Sequence, residues 1–137
     1  MRLYHVIPKA LDAIWSEVVP ILEESIKYAD GKYHIDDVYS FIMHGDMHLW
    51  IIFDNQAIRA VIVTEFVNFP RKKILLLSFI AGNKAKDWLH LIDKFKDFAK
   101  LHECSAIEGN ARTGWERVAK KVGFKKIHST IQLDLKD

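Results

Sequence analysis

His44, Asp46 and His48 form a candidate metal-binding group, since imidazole and carboxylate are common metal ligands. They alternate along the chain, and alternate residues of an extended segment point in the same direction. Gly45, however, is a turn residue that spoils the extended geometry, and the sequence specifies no fourth ligand. We therefore expect no metal site here.

Arg112 and Trp115 form a second candidate group, suited to substrate binding. A guanidinium holds a phosphate or carboxylate through two parallel hydrogen bonds, although a surface ion pair is the alternative for Arg112. The other tryptophans, Trp15, Trp50 and Trp88, fall on apolar stripes, where an indole ring is expected to anchor the core. Only Trp115 is kept as a candidate for contact with a substrate.

Composition argues against several classes of function. Twenty Lys and Arg residues stand against 18 Asp and Glu residues, and the formal net charge is +2. Because the signs are mixed along the chain, we expect neither a nucleic-acid partner nor a membrane-surface partner. The basic residues near the end of the chain are expected to form a solvated face: Arg117, Lys120, Lys121, Lys125 and Lys126.

The length and the cysteine count favour one cytoplasmic domain. A chain of 137 residues, 50% of them hydrophobic, is long enough to bury a core of its own, so a single domain is predicted over 1–137. Cys104 is the single cysteine, which excludes an internal disulfide and favours a reducing compartment. No stretch approaches the roughly 18 uninterrupted apolar residues of a membrane span.

Hydrophobic periodicity predicts a helical first part of the chain after a short β-prone run at 3–7. Apolar residues recur at helical spacing at Leu11, Ile14, Trp15, Val18, Leu22 and Ile26. Pro20 removes a backbone donor, so two short helices meeting near Pro20 are predicted. Another short helix is predicted over 38–43, capped by Asp36 or Asp37.

The rest of the chain alternates between strands and helices. The β-rich runs 48–53 and 57–69 predict a hairpin, and the nearly continuous apolar run 73–81 is typical of a central strand covered on both faces. A helix over 85–101, capped by Asn83, and a strand over 105–109 follow. Thr113 and Glu116 have the spacing of a capping box for a helix ending at Gly123. Alternation over 125–135 predicts a last strand. The fold class is therefore α/β (α+β).

This order of elements resembles the GNAT acyltransferase superfamily over most of the chain, and more closely the small GNAT-like proteins of tailed bacteriophages and prophages. The residues that carry the resemblance are His48-Leu49-Trp50, Ala60-Val61-Ile62-Val63-Thr64-Glu65, Gly82 followed by Trp88, and Gly109-Asn110-Ala111-Arg112-Thr113-Gly114-Trp115 ahead of Gly123-Phe124. The resemblance implies a GNAT-like fold: a mixed, mostly antiparallel central sheet, flanked by helices and opening into a V between strands 73–81 and 105–109. It also implies an acyl-CoA-dependent N-acyltransferase that uses acetyl-CoA, in the host cytoplasm or associated with a virion.

The resemblance places the acyl-CoA site where strand 73–81 leads into the following helix, whose first amides would meet the pyrophosphate. The implied cofactor-binding residues are Phe79, Ile80, Gly82, Asn83, Lys84, Ala85 and Lys86. The superfamily has a phosphate-binding pattern: Arg or Gln, two residues, Gly, one residue, then Gly or Ala. In this chain Ile80 stands at the Arg or Gln position, Asn83 at the first Gly position and Ala85 at the last position. Only Ala85 matches the pattern. Lys84 and Lys86 partly replace the missing charged donor. The alternative is an ordinary strand-to-helix turn.

The resemblance implies that Glu65 is the catalytic residue, a general base that takes a proton from an acceptor amine. The alternative is an outward-facing carboxylate on a strand. Strand amides near Phe79 and Ile80 would polarise the thioester carbonyl. Ala119 occupies the position where superfamily enzymes often place a tyrosine as general acid. Ala119 and the degenerate phosphate pattern leave a second hypothesis open, namely a non-catalytic module that binds a phage or host protein.

Overall fold

The computed structural model describes residues 1–82, 89–110 and 113–135. Five strands form one sheet in the order β1-β2-β3-β4-β5. These strands are β1 (Arg2–Val6), β2 (His48–Phe53), β3 (Ile58–Phe69), β4 (Lys72–Gly82) and β5 (Ala106–Gly109). Neighbours pair antiparallel except β4 and β5, which pair parallel. The mixed, mostly antiparallel sheet and the β2–β3 hairpin confirm the predicted fold class.

Four α-helices connect or flank these strands in the described residues. They are α1 (Leu11–Ile26), α2 (Ile35–Met43), α3 (Ile92–Leu101) and α4 (Thr113–Lys120), with short 3₁₀ turns at Pro8–Ala10 and Leu89–Leu91. The described part of the predicted helix 85–101 is thus a 3₁₀ turn followed by α3, while 83–88 lie outside the described residues. None of the helices in the described ranges combines the length and apolar character needed to cross a bilayer.

Helices cover both sides of the sheet, as the apolar run of β4 predicts. On the α1/α2 side, α1 buries Leu11, Val18, Leu22 and Ile26, which pack with Val61 and Val63 of β3. On the α3 side, α3 buries Ile92, Phe95 and Ala99, which pack with Leu75 and Leu77 of β4. The central strands β3 and β4 are therefore held between two apolar layers.

The predicted break at Pro20 is wrong, because α1 runs through this residue without interruption. A proline inside a helix costs about 3 kcal/mol. Each fully buried Val, Leu or Ile side chain contributes about 1.5–3 kcal/mol, and Val18 and Leu22, on either side of the proline, are both completely buried. Pro20 itself is exposed. Packing of the helix on the sheet therefore outweighs the local cost.

The predicted cap of α2 is also wrong, because the N-cap residue is His34. Its Nδ1 accepts a hydrogen bond from the backbone N–H of Asp36 at 3.2 Å. Asp37 makes the second hydrogen bond of the cap: its Oδ2 accepts from the backbone N–H of His34 at 2.8 Å. This is a capping box in which imidazole replaces the usual hydroxyl.

Residues 125–135, predicted as a strand, join no ladder, so that prediction is wrong. The side chains of Ile131, Leu133 and Leu135 are 94%, 85% and 93% exposed. Alternation makes a segment suitable for pairing but does not supply a partner strand. The sheet of the described residues ends at β5, and Gln132 of this segment donates a hydrogen bond to Asp30, which follows α1, at 2.6 Å.

Candidate functional site

A β-bulge interrupts β4 where the sheet approaches its predicted opening. Val63 of β3 pairs with Phe79, whereas the next residue, Thr64, pairs with Leu77, so Ser78 has no partner in β3. The Oγ of Ser78 is buried and has no hydrogen-bond partner in the described part of the chain. Bulges of this kind re-aim the side chains that follow them and are frequent beside active sites.

The bulge turns Phe79 to the α1/α2 side of the sheet. Leu75 and Leu77 belong to the cluster on the α3 side, and strict alternation would place Phe79 there as well. Instead Phe79 packs in the α1/α2 cluster, while Ile80 packs against the α3 cluster. The two residues predicted to contact acyl-CoA through their amides therefore direct their side chains to opposite sides of β4.

The last part of β4 has a free edge as far as the described residues show the sheet. Pairing with β5 runs from Ile74 opposite Ala106 to Leu77 opposite Gly109 and then stops, while β4 continues to Gly82. Backbone groups of 78–82 on that edge are thus directed away from β3 without a β5 partner. The two strands stop pairing at the place where the resemblance predicts that the sheet opens.

Gly82 ends β4 in a conformation that requires glycine. Its φ is +132°, and a Cβ at this position would lie 2.6 Å from the carbonyl oxygen of Arg59 and 2.8 Å from the Cα of Ala60. The backbones of β3 and β4 therefore approach too closely for any side chain.

Glu65 lies on β3, half-buried, on the same side of the sheet as Phe79. Burial raises the pKa of its carboxyl group above the usual range. Tyr33, in the connection between α1 and α2, lies close enough that its pKa is raised by burial and by the charge of Glu65. The ring of Tyr33 meets that of Phe79 edge-on at 5.4 Å. A carboxylate with a raised pKa, a phenol and the bulge thus come together on one side of the sheet.

An open cleft of about 260 Å³ adjoins this group. It is lined by Lys32, Tyr33, Asp37, Ser40 and Phe41, so Tyr33 is shared between the cleft and the surroundings of Glu65. The lining combines two aromatic rings with one carboxylate and one ammonium group. The lining is therefore polar and aromatic, with its two opposite charges offsetting each other.

The structure brings Glu65 and Phe79 to one side of the sheet, whereas several other predicted site residues fall outside the described ranges. Asn83, Lys84, Ala85, Lys86 and Arg112 lie outside the described residues, as does the side chain of Trp115 within α4. Sequence reasoning missed Tyr33. Lys32-Tyr33 follows a glycine between two helices, and nothing in the local pattern predicts that this loop reaches β4.

A hydrogen-bonded chain on the α3 side was also missed by sequence reasoning. The hydroxyl of Thr64 is completely buried, and its Oγ1 accepts a hydrogen bond from Trp50 Nε1 at 3.0 Å. His48 Nδ1 lies 3.0 Å from the same oxygen. Burial, together with the nearby His5 and His102, lowers the pKa of His48 to about 4. His48 is therefore neutral near pH 7, and its ring packs with the neighbouring aromatic rings.

The other two members of the candidate metal group have different surroundings. His44 caps the end of α2, where its Nδ1 lies 2.7 Å from the carbonyl oxygen of Ser40, and Asp46 is exposed. Within the described ranges, no three His, Cys, Asp or Glu side chains are arranged to hold a metal ion.

No protein-family model and no curated protein sequence matches this chain. Solved structures of acetyltransferases do. A predicted acetyltransferase from Clostridium acetobutylicum with acetyl-CoA is 16% identical, with a TM-score of 0.68 over 97% of this chain and 95% of that chain. The aminoglycoside 6'-N-acetyltransferase AAC(6')-IG from Acinetobacter haemolyticus is 11% identical, with a TM-score of 0.69 over 100% and 99% of the two chains.

A third similar structure is the ribosomal-protein-alanine N-acetyltransferase from Brucella melitensis biovar Abortus 2308. It is 10% identical, with a TM-score of 0.69 over 98% of this chain and 100% of that chain. At these identities the likeness establishes the fold alone. The chain therefore has the GNAT fold of acetyltransferases, as the order of its elements predicts.

Proposed function

We propose that this chain is an acyl-CoA-dependent N-acyltransferase. The observation that carries the proposal is the position of Glu65, a half-buried carboxylate with a raised pKa on the same side of the sheet as Phe79 at the bulge of β4. A raised pKa makes a carboxylate a stronger base at neutral pH. The GNAT fold, which the chain shares with acetyltransferases, supports the same reaction class.

Acyl-CoA would supply the acyl group as a thioester. The free edge of β4 at 78–82 supports this role, because it offers backbone donors and acceptors to an extended ligand. Amides of Phe79 and Ile80 are the proposed donors to the thioester carbonyl. Lys84 and Lys86, with Gly82, Asn83 and Ala85, are the proposed pyrophosphate site, in the segment from the end of β4 to the 3₁₀ turn at Leu89–Leu91.

Glu65 would receive a proton from the acceptor ammonium, either directly or through a water molecule, so that the amine becomes nucleophilic. The cleft lined by Lys32, Tyr33, Asp37, Ser40 and Phe41 is the proposed entry for the acceptor, because Tyr33 joins it to the surroundings of Glu65. Arg112 and Trp115 are proposed as further substrate-binding residues.

The reaction can be tested by following thiol release from acetyl-CoA with a panel of primary amines. Glu65→Gln is expected to lower kcat about 100-fold or more, because it removes the base while keeping the shape of the side chain. Acetyl-CoA binding is expected to persist. Glu23→Gln, an equivalent change at an exposed position of α1, serves as the control. Equal activity of Glu65→Gln and the unaltered protein would exclude Glu65 as the base.

A second candidate function is a non-catalytic GNAT-like protein of a phage or prophage that binds a virion or host protein. The observation that favours it is Ala119, on α4, which has no ionisable group at the position where superfamily enzymes often carry a tyrosine. Ile80 likewise replaces the Arg or Gln of the phosphate pattern. Under this hypothesis acetyl-CoA neither binds nor reacts.

A further inference from the structure

Residues 125–135, the exposed segment, carry a row of uncovered apolar side chains. The large apolar residues all have odd numbers: Ile127, Ile131, Leu133 and Leu135 are 59%, 94%, 85% and 93% exposed. Polar residues occupy the even positions, so pairing as a strand would collect the apolar side chains on one face. An exposed apolar row of this kind, interrupted here by Ser129, is typical of an interaction surface.

The sequence of the exposed segment is complementary to itself in an antiparallel arrangement. With a two-fold axis at Thr130, residues equally distant from Thr130 lie opposite each other. Lys126 then faces Asp134 and Ile127 faces Leu133, each pair occurring twice. Opposite charges and apolar pairs across neighbouring strands both stabilise a sheet. A parallel arrangement in register would instead set Lys126 against Lys126.

We infer that the exposed segments of two copies of this chain pair as antiparallel strands about a two-fold axis at Thr130. This isologous contact brings the apolar side chains of both copies together on one face of a two-stranded ribbon and forms two Lys126–Asp134 ion pairs. In the single chain, the carboxylate of Asp134 accepts a hydrogen bond through Oδ1 from Gln132 at 2.6 Å, which leaves Oδ2 for the ammonium group of the second copy. Within the described residues, Lys126 has no ion-pair partner.

The edge of the sheet provides the support that a two-stranded ribbon requires, since such a ribbon alone is marginal in water. Within the described ranges, β5 is the last strand of the sheet and pairs on one side only, with β4. Ile107 packs on the α3 side, and Leu101, at the end of α3, is 77% exposed. A ribbon along β5 with its apolar row on the α3 side covers Leu101 and continues the core.

The oligomeric state of the 1–137 chain, measured by sedimentation over a concentration series, tests the inference. A dimer is expected for the unaltered protein. Lys126→Glu is expected to weaken dimerisation about tenfold or more, because it sets like charges opposite each other twice per dimer. The exchange Lys126→Glu with Asp134→Lys restores dimerisation. Lys125→Glu, the same charge change one residue away and opposite Leu135, is the matched control with little effect.

Disulfide trapping tests the register separately, in a Cys104→Ser background. Thr130→Cys places two thiols across the axis and is expected to give a covalent dimer on mild oxidation. Ser129→Cys, whose counterpart would be Ile131, is expected to give much less. The inference would be overturned if the protein were monomeric at all concentrations. It would also be overturned if dimerisation were unchanged both by Lys126→Glu and by Lys126→Glu combined with Asp134→Lys. Equal trapping by the two cysteine variants would also contradict it.

Discussion

The ring of Phe79 meets the ring of Tyr33 edge-on, with 5.4 Å between their centroids. This contact joins the connection between α1 and α2 to the strand that carries the bulge. It depends on the extra residue Ser78, without which Phe79 would point to the α3 side. The surroundings of Glu65 therefore depend on two features: the bulge at Ser78 in β4, and the connection between α1 and α2, which is distant from β4 in sequence.

Gly82→Ala is expected to destabilise the protein by roughly 2 kcal/mol or more. The added Cβ would meet the carbonyl oxygen of Arg59 at 2.6 Å, and φ of +132° is strained for any L side chain. Gly45→Ala is the control, since it has a φ of +81° but open space around the Cβ, and should cost only about 1 kcal/mol. Urea unfolding measures both. Equal losses would contradict the close approach of β3 and β4.

Thr64→Val is expected to cost about 1–3 kcal/mol, because it leaves the buried Nε1–H of Trp50 without its acceptor. In Trp50→Phe that donor is absent, so adding Thr64→Val to it should cost distinctly less. The double-mutant cycle, measured by chemical denaturation, gives the coupling between the two side chains. Additive losses would show that the hydrogen bond contributes nothing to stability.

Stability is expected to fall as the pH is lowered from about 6.5 toward 4. His48 has a pKa of about 4 in the folded protein, below the ordinary 6.5 of a histidine in an unfolded chain, so on acidification the unfolded chain binds a proton first. The stabilisation is complete above pH 6.5. Between pH 6.5 and 4 the free energy of unfolding falls by roughly 2 kcal/mol. The pKa of His5 is also lowered, by burial and by His102, and adds to the effect.

His48→Gln should reduce this pH dependence, whereas His128→Gln, at an exposed position, should leave it unchanged. Unfolding by urea at pH 7.5, 6.0 and 4.5 gives the comparison. A His48→Gln protein that loses as much stability as the unaltered protein would show that His48 is not the titrating group.

Regular parts of the fold could be predicted from the sequence, because period and turn residues act locally. The hairpin of β2 and β3 and the covered strand β4 are examples. The continuous helix through Pro20 could not be predicted, since tertiary packing overrides the local preference of proline. The bulge at Ser78 could not be predicted either. Because β4 is apolar almost throughout, its sequence has no polar–apolar alternation in which an extra residue would be visible.

The candidate site was predictable only in part for a related reason. Glu65 can be recognised in the sequence as a carboxylate on an apolar strand. Tyr33 cannot, because only the tertiary fold brings it close to Glu65. The exposed segment shows the opposite case: its alternating pattern is typical of a strand, but no strand of the described residues pairs with it. Local sequence thus indicates which segments favour a strand, whereas their partners depend on the whole fold.

Thermal unfolding with and without acetyl-CoA tests the central claim, that this chain binds acyl-CoA at the end of β4, most directly. A ligand at about 100 times its dissociation constant adds about 2.7 kcal/mol to stability, so a rise in Tm is expected. Lys84→Glu should abolish most of the rise by placing a negative charge beside the pyrophosphate, whereas Lys94→Glu, on an exposed position of α3, should keep it. An unchanged Tm at millimolar acetyl-CoA in the unaltered protein would contradict the claim and favour the non-catalytic module.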